Sequence, residues 1–218
     1  MSVELYIDYF SPPCRAVLAF CYQTGIPIVI KEIRLASGQH LSEDFLKICP
    51  WGTVPAIVHK GNSFYESHAI ITYLAEEFCK TEQWYPKDLV ARTRINTYLN
   101  WHHLNVRGPF GIYLFNKIFG PKVFKVPFSQ DINDRFEGEQ RVSIGFLEEV
   151  LGTGFVASSG EPSVADICLY CELSQSSAFG IDLSGYKNVQ KWMRKMETLN
   201  GIQEAHKIFN KMIPKFKL

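Results

Sequence analysis

The spacing of apolar residues changes several times over the first 78 residues, between the two-residue period of a strand and the period of a helix. Val3, Leu5 and Ile7 alternate with polar neighbours and predict a strand, whereas the apolar positions of residues 14–22 recur at helical spacing. The β-branched run at residues 28–33 predicts a second strand, which a right-handed crossover places parallel to the first.

The rest of this half completes a small α/β domain. Ser42 is a candidate cap for a short helix that runs through Ile48. Two strand-like runs flank Lys60-Gly61 and predict a β-hairpin, and a helix follows from Glu66. The resulting order, βαβαββα, is that of a thioredoxin-like domain.

Beyond Asp88 the strand pattern disappears and only helical periods remain. Five apolar stripes predict five helices: Leu89, Ile95, Leu99 and Val106; Phe136, Ile144, Leu147 and Leu151; Val164, Ile167, Cys168 and Cys171; Val189, Trp192, Met193 and Met196; Ile202, Ala205, Phe209 and Met212. The polar segment 80–87 predicts a linker. We therefore expect a thioredoxin-like α/β domain over residues 1–79 and an all-α helical domain over residues 88–218.

Composition and charge narrow the function classes. The 218 residues carry a formal net charge of +1, which gives no electrostatic reason to expect nucleic acid or an anionic membrane as partner. The first residues lack the basic and apolar stretches of a signal peptide, and the longest apolar run, residues 16–22, is too short to span a bilayer. Six scattered cysteines suit a reducing compartment. We expect a cytoplasmic protein.

Two features that suggest a metal or redox site have simpler explanations. Cys168 and Cys171 form a Cys-x-x-Cys pair, but they occupy positions i and i+3 of an apolar helix pattern, which favours core residues. His102 and His103 are adjacent, so on a helix they point about 100° apart and are poorly placed to share a metal ion. No metal site is predicted.

The turn after the first strand carries the candidate chemistry. A thioredoxin-like enzyme places its reactive group there, facing the N–H groups and the positive dipole end of the next helix. A redox member needs a cysteine at the first position, whereas this turn begins with Ser11 and has Cys14 three residues later. The Ser11 hydroxyl can donate a hydrogen bond to a sulfur and lower a thiol pKa from about 8.5 toward neutrality. A plain helix N-cap is the alternative, and the turn alone does not decide between them.

Two further motifs favour a peptide-like ligand. Val54-Pro55 stands where thioredoxin-like domains hold a cis proline, which turns the Val54 backbone toward the active site; an ordinary trans proline at an edge strand is the alternative. Glu66 and Ser67 begin a helix, where a carboxylate and free N–H groups can hold the ammonium and carboxylate of a γ-glutamyl group. A conventional helix cap is the competing interpretation.

Taken together, these motifs resemble those of the cytosolic glutathione transferases of the theta class. The matching segments cover nearly the whole chain: residues 5–8, 11–17, 38–42, 54–56, 66–67 and 84–92, Trp101 with Arg107, and the capping motif of residues 163–166. In that capping motif, Ser163 and Asp166 are expected to bond to each other's backbone and fix the start of a helix. The joint spacing is far more specific than any single motif.

The resemblance implies a glutathione transferase that uses glutathione as co-substrate, has no tightly bound cofactor, and forms a homodimer. Ser11 would stabilise the glutathione thiolate, and Arg107 would face the active site and assist an anionic leaving group. The implied glutathione-binding residues are His40 at the glycine carboxylate, Thr53 and Val54 at the cysteinyl backbone, and Glu66 with Ser67 at the γ-glutamyl end. Pro55, Ser163 and Asp166 would be structural. Without the resemblance, His40 is more typical of a surface residue and Arg107 of a solvated helix residue.

The chain also departs from the family pattern. Thr53 stands where theta relatives often carry a lysine, and Cys49 where they often carry an asparagine, so weaker glutathione binding is expected. The C-terminal segment is short, and we expect a more open pocket for the electrophile. The implied substrates are alkyl or benzyl halides, reactive sulfates and hydroperoxides. A non-catalytic binding or assembly module, and a glutathione-dependent isomerase or dehalogenase, are alternatives on the same scaffold.

Overall fold

A four-stranded sheet forms the centre of the N-terminal half of the protein. The structure is a computed structural model that describes residues 2–158, 160–176 and 178–215. The strands are β1 (Val3–Ile7), β2 (Ile28–Glu32), β3 (Ala56–His59) and β4 (Asn62–Tyr65), in the spatial order β2-β1-β3-β4. β2 pairs parallel to β1, while β3 and β4 are antiparallel to their neighbours, so the predicted crossover and hairpin are both confirmed.

Three helices complete this half and confirm the thioredoxin-like order βαβαββα: α1 (Pro12–Thr24), α2 (Glu43–Leu46) and α3 (Ser67–Phe78). Gly25 ends α1 in the left-handed conformation, at φ +70°, and its N–H donates to the Cys21 carbonyl. Ser42 caps α2 as predicted, accepting a hydrogen bond from the Phe45 N–H at 3.3 Å. α2 is two residues shorter than the predicted helix, although the N–H groups of Ile48 and Cys49 still donate to the Phe45 carbonyl.

The C-terminal half is helical, as predicted. Its helices are α4 (Leu89–His102), α5 (Gly108–Leu114), α6 (Gln130–Leu151), α7 (Val164–Leu173), α8 (Lys187–Glu197) and α9 (Asn200–Met212), with π-helical segments at His103–Arg107 and Phe115–Phe124. The predicted linker, residues 80–87, falls between α3 and α4, and the division into domains at those residues stays a prediction. No helix in the described ranges is long and apolar enough to cross a membrane.

The five apolar stripes leave the residues between Val106 and Phe136 unassigned, and the structure shows that most of them are helical. The chain stays helical through both π-helical segments and α5 as far as Phe124. Glycine and proline interrupt the apolar pattern here, yet two prolines lie within the helical path: Pro109 just after the first π-helical segment and Pro121 inside the second. The extra residue in each π-helical turn also shifts the spacing that a regular helix would show.

Helix α1 is the shared centre of the core, because it packs against α3, α7 and α9 and its apolar side chains join those of β1 in one cluster. Its residues 14–21 are all buried. The closest approach is at Gly201 near the start of α9, where an added Cβ would lie 2.2 Å from the Ala19 carbonyl oxygen. The Gly201 N–H donates to the Gln23 side chain at 2.9 Å, so the two halves meet through backbone as well as side chains.

Candidate functional site

Ser11 lies at the carboxyl end of β1 and caps the N-terminus of α1. Its side chain is half-buried, and its Oγ accepts a hydrogen bond from the Cys14 N–H at 3.5 Å. Because the hydroxyl oxygen accepts this bond, its hydrogen is free to donate to a ligand. Asp8 fixes the turn, since its two carboxylate oxygens accept from the N–H groups of Phe10 at 2.8 Å and Leu35 at 3.0 Å.

The neighbouring cysteine is not a rival nucleophile. Cys14 is fully buried, and burial raises the pKa of its thiol to about 12. A thiol with this pKa carries almost no thiolate at neutral pH. Of the two side chains, only the Ser11 hydroxyl is accessible at this turn.

A buried arginine, Arg15, also stabilises the turn that precedes Ser11. Arg15 donates to the carbonyl oxygens of Tyr9 at 3.0 Å and Phe10 at 2.8 Å, and also to that of Cys171 on α7 at 3.2 Å. The Phe209 ring of α9 stacks on the guanidinium at 3.8 Å. Arg15 thus ties the turn before Ser11 to two helices of the C-terminal half.

The segment before β3 lies beside the loop that carries His40. The Val54–Pro55 peptide bond is cis, the form that the sequence predicts. Thr53 is exposed, and its hydroxyl lies 3.6 Å from the Cys49 sulfur. Gly52, at φ +62°, packs so closely that an added Cβ would lie 3.1 Å from the His40 carbonyl oxygen.

His40 is half-buried in the short 3₁₀ turn Gln39–Leu41. Its Nδ1 is buried and has no hydrogen-bond partner among the residues that the structure describes. A buried polar atom without a partner is uncommon in folded proteins. The rest of the ring is partly exposed beside Gly52.

Glu66 precedes α3 in a conformation that side chains rarely adopt, at φ +70° and ψ +107°. Such backbone costs about 1–3 kcal/mol and is concentrated at binding sites. The carboxylate of Glu66 is exposed, while Ser67 behind it is buried. The first helical hydrogen bond runs from the Ile70 N–H to the Glu66 carbonyl, so the earlier N–H groups of α3 point toward any group at its N-terminus.

Arg107 joins Ser67 to the helical half. It donates through Nη1 to the Ser67 Oγ at 3.0 Å and through Nε to Glu172 on α7 at 2.8 Å. Nη1 also lies 3.3 Å from the His103 Nδ1, and Nη2 lies 3.5 Å from the His68 Nε2. The guanidinium therefore contacts both halves of the protein, and sequence reasoning did not anticipate this network.

The groups around Arg107 have shifted protonation equilibria. Burial opposes the charge on Glu172, but His102 and Arg107 outweigh it and lower the pKa of that carboxyl to about 2. Burial lowers the pKa of His102 to about 4, and it also lowers the pKa of His68, which Arg107 lowers further. At neutral pH the site therefore contains an ionised carboxylate, a guanidinium and neutral imidazoles.

The site residues that the sequence analysis did not identify have one sequence feature in common. Arg15 and Glu172 each stand within an apolar helix pattern and are almost fully buried. Buried charges are rare unless they are paired or hydrogen-bonded, so a charge inside an apolar stripe marks a position worth testing. The sequence pattern does not show, however, that Arg107 pairs with Glu172, which lies 65 residues further along the chain.

The capping motif of α7 is structural, as its position suggests. The Asp166 carboxylate accepts from the Ser163 N–H at 2.9 Å, the Val156 N–H at 2.9 Å and the Trp192 indole N–H at 3.0 Å. The capping box is complete, with the Ser163 side chain accepting at the start of the helix. These bonds link α7 to α8 and to the loop before α7.

Other candidates lie outside this cluster. Cys168 and Cys171 are fully buried core residues, as expected. Trp101 lines a cavity of about 490 Å³ between α4 and α6, whose lining includes none of the candidate site residues. Within residues 2–158, 160–176 and 178–215, no group of three or more His, Cys, Asp or Glu side chains is placed to hold a metal ion.

Family models match both halves of the chain. Residues 5–82 match the N-terminal domain of glutathione S-transferase, and residues 108–200 match its C-terminal domain. Glutathione S-transferase T1 of Arabidopsis thaliana is 36% identical over 223 residues, covering 97% of this chain and 91% of the relative. Human glutathione S-transferase theta-2 is 35% identical over 214 residues, covering 95% of this chain and 87% of the relative.

Solved structures agree with these relatives. Human glutathione transferase theta-2 in complex with glutathione and an unknown ligand superposes with a TM-score of 0.90, at 31% identity over 99% of this chain and 90% of that one. A human theta-class enzyme in complex with the glutathione conjugate of 1-menaphthyl sulfate gives a TM-score of 0.91, at 32% identity and the same coverage. The chain therefore belongs to the theta class of the glutathione S-transferase family and is a glutathione transferase.

Proposed function

We propose that Ser11 activates glutathione in the thioredoxin-like half, so that the thiolate attacks small electrophiles held between the two halves. The observation that carries this proposal is the position of Ser11 at the N-terminus of α1, with its Oγ bonded to the Cys14 N–H and its hydrogen available to a sulfur. A hydrogen bond to the thiolate, together with the helix dipole, favours the charged form and lowers the thiol pKa.

Other residues of the site bind the rest of the glutathione molecule in this proposal. Glu66 takes the ammonium and Ser67 the carboxylate of the γ-glutamyl group, supported by the helix N-terminus and by the Arg107 charge. Thr53 and Val54 pair with the cysteinyl backbone. His40 approaches the glycine carboxylate with the exposed part of its half-buried ring. Thr53 supplies no positive charge, so we expect weaker affinity than in relatives that carry lysine there.

The transfer step is a displacement at carbon for halides and sulfate esters. The thiolate sulfur forms a bond to the carbon while the bond to the halide or sulfate breaks, and the leaving group takes the electron pair. Arg107 assists the departing anion electrostatically. With a hydroperoxide, two glutathione molecules supply two electrons and give glutathione disulfide, an alcohol and water. The relative that holds the conjugate of 1-menaphthyl sulfate supports the choice of sulfate esters.

The proposal includes the oligomeric state of the protein and its location in the cell. We expect a homodimer, because apolar side chains stand exposed on one side of the helical half, including Leu104 at 82%, Val142 at 75% and Phe146 at 48%. A cytoplasmic location suits the six cysteines, which are all unpaired. The expectation of an open pocket depends in part on residues 216–218, which lie outside the described residues.

Steady-state kinetics test the role of Ser11. A benzyl halide and an aryl-methyl sulfate are assayed with glutathione, using the wild type, Ser11→Ala and Ser42→Ala. Ser42 is the matched control, because it is also a serine N-cap whose loss costs about 0.5–2 kcal/mol of stability. We expect Ser11→Ala to lose roughly 10²-fold or more in kcat/KM, by analogy with removal of one oxyanion-hole donor, while Ser42→Ala keeps its activity. Equal activity of the two variants would reduce Ser11 to a helix cap.

A further inference from the structure

Glu172 is a buried carboxylate in the middle of α7, outside the residues that would contact glutathione. Its Oε1 lies 2.8 Å from the Arg107 Nε and 3.7 Å from the His102 Nε2. The second distance is too long for a hydrogen bond, so the specific partner of the carboxylate is Arg107. A buried carboxylate paired in this way is costly to retain, and a structural helix position does not require it.

The pairing sets the direction of the Arg107 side chain. The guanidinium is planar, so a carboxylate that binds Nε fixes the orientation of both Nη atoms. Nη1 then lies 3.0 Å from the Ser67 hydroxyl oxygen at the start of α3. Because that oxygen accepts a bond from Arg107, the Ser67 hydrogen is directed away from Arg107 and remains available to a carboxylate at the helix N-terminus.

The backbone around Arg107 supports the same arrangement. Arg107 ends the π-helical segment His103–Arg107, and π-helical turns occur frequently at functional sites. The segment brings the His103 ring to 4.1 Å from that of His68, centroid to centroid, next to Ser67. The guanidinium is thus enclosed by two neutral rings and one carboxylate, and Glu172 is the anion that faces it.

We propose that Glu172 is a positioning residue of the glutathione site, which holds Arg107 and, through it, the Ser67 hydroxyl against the γ-glutamyl carboxylate. The inference rests on the proposed role of Ser67 in binding glutathione. Loss of the negative charge leaves Arg107, which is 21% exposed, free to turn toward solvent. Ser67 then loses both its orientation and the positive charge behind it.

A double-mutant cycle measures this coupling. Isothermal titration calorimetry with glutathione is run on the wild type, Glu172→Gln, Ser67→Ala and the double variant. We expect Glu172→Gln to raise the Kd and the KM for glutathione about 10-fold, or about 1.4 kcal/mol. The Kd is the deciding quantity, because kcat should also fall if the released Arg107 no longer assists the leaving group. In the Ser67→Ala background the same change should add less than about twofold, because the two residues act in series.

Two further variants separate positioning from folding. Glu148→Gln is the matched control, because the Glu148 carboxylate accepts from the Asn188 and Val189 N–H groups far from Ser67. It should lower stability and leave the Kd for glutathione unchanged. Glu172→Asp keeps the charge with a shorter reach and should restore most of the affinity. If Glu172→Gln does not fold, Glu172→Met, which fills a similar volume without the charge, takes its place in the cycle.

The outcomes distinguish this inference from the proposed function. If the wild type binds no glutathione, both are overturned. If the wild type binds glutathione and needs Ser11 for activity, but Glu172→Gln leaves the Kd unchanged, the positioning role alone is wrong. Equal effects of Glu172→Gln with and without Ser67 would also overturn it, since they would show that Glu172 acts by another route.

Discussion

Replacing Gly201 by alanine perturbs the contact on which the two halves of the protein depend. The added Cβ would lie 2.2 Å from the Ala19 carbonyl oxygen and 2.6 Å from both the Cβ and the backbone nitrogen of Gln23. Two of these three atoms belong to the α1 backbone, which does not move out of the way as a flexible side chain would. The start of α9 must therefore retreat from α1.

The size of the effect follows from three contributions. Overpacking of this kind costs about 1–3 kcal/mol. Loss of the Gly201 N–H bond to Gln23 adds about 0.5–1.5 kcal/mol. The better helix propensity of alanine offsets at most about 1 kcal/mol. We expect a net loss of about 2–3 kcal/mol, which corresponds to a fall in Tm of roughly 4–12 °C for a chain of this length.

The assay is urea unfolding together with glutathione kinetics, with Gly138→Ala as the matched control. Gly138 lies in α6 with nothing within 4 Å of an added Cβ, so its replacement should be neutral or stabilise by up to about 1 kcal/mol. Because α9 carries Phe209 against Arg15, Gly201→Ala should also raise the KM for glutathione. If Gly201→Ala is as stable as Gly138→Ala, the packing of α1 against α9 described above is wrong.

Three other predictions test the buried polar groups. Burial lowers the pKa of His102 to about 4 in the folded protein, below its unfolded value of about 6.5, so the unfolded chain binds the proton first as the pH falls. The free energy of unfolding should therefore decrease between about pH 6.5 and pH 4, by about 2 kcal/mol at pH 5. A urea midpoint that is unchanged between pH 7 and pH 5 would contradict this. Asp166→Ala should cost about 3–5 kcal/mol, because the Val156 and Trp192 N–H groups lose their acceptor, and a loss below 1 kcal/mol in urea unfolding would count against it. Iodoacetamide should alkylate the partly exposed Cys79 in the native protein well before Cys14, and mass spectrometry of the labelled peptides gives the order.

The local parts of the fold were predictable because short-range patterns determine them. The alternation of Val3, Leu5 and Ile7 requires one buried face, and the structure buries all three. Gly25 and Ser42 mark helix ends, because caps depend on the residue type at the end of the helix and not on distant contacts. The turn at Ser11 and the cis bond before Pro55 were also readable, since each depends on residue types at fixed local spacing.

The features of the structure that the sequence did not predict depend on irregular helical turns and on contacts between distant residues. The helical path from His103 to Phe124 includes π-helical turns, whose spacing no regular period matches. The bond between Arg107 and Glu172 joins residues that only the packing of α7 brings together. Sequence reasoning placed Arg107 near the active site, but it assigned no partner to the guanidinium and gave Glu172 no role.

The ultraviolet absorbance of bound glutathione as a function of pH tests the proposed chemistry most directly. Difference spectra are recorded for the wild type, Ser11→Ala and the cap control Ser42→Ala. We predict that the wild type and Ser42→Ala show thiolate well below the free thiol pKa of about 8.5, and that Ser11→Ala does not. A wild-type thiol that titrates as it does in water, or a Ser11→Ala spectrum equal to that of the wild type, would contradict activation by Ser11.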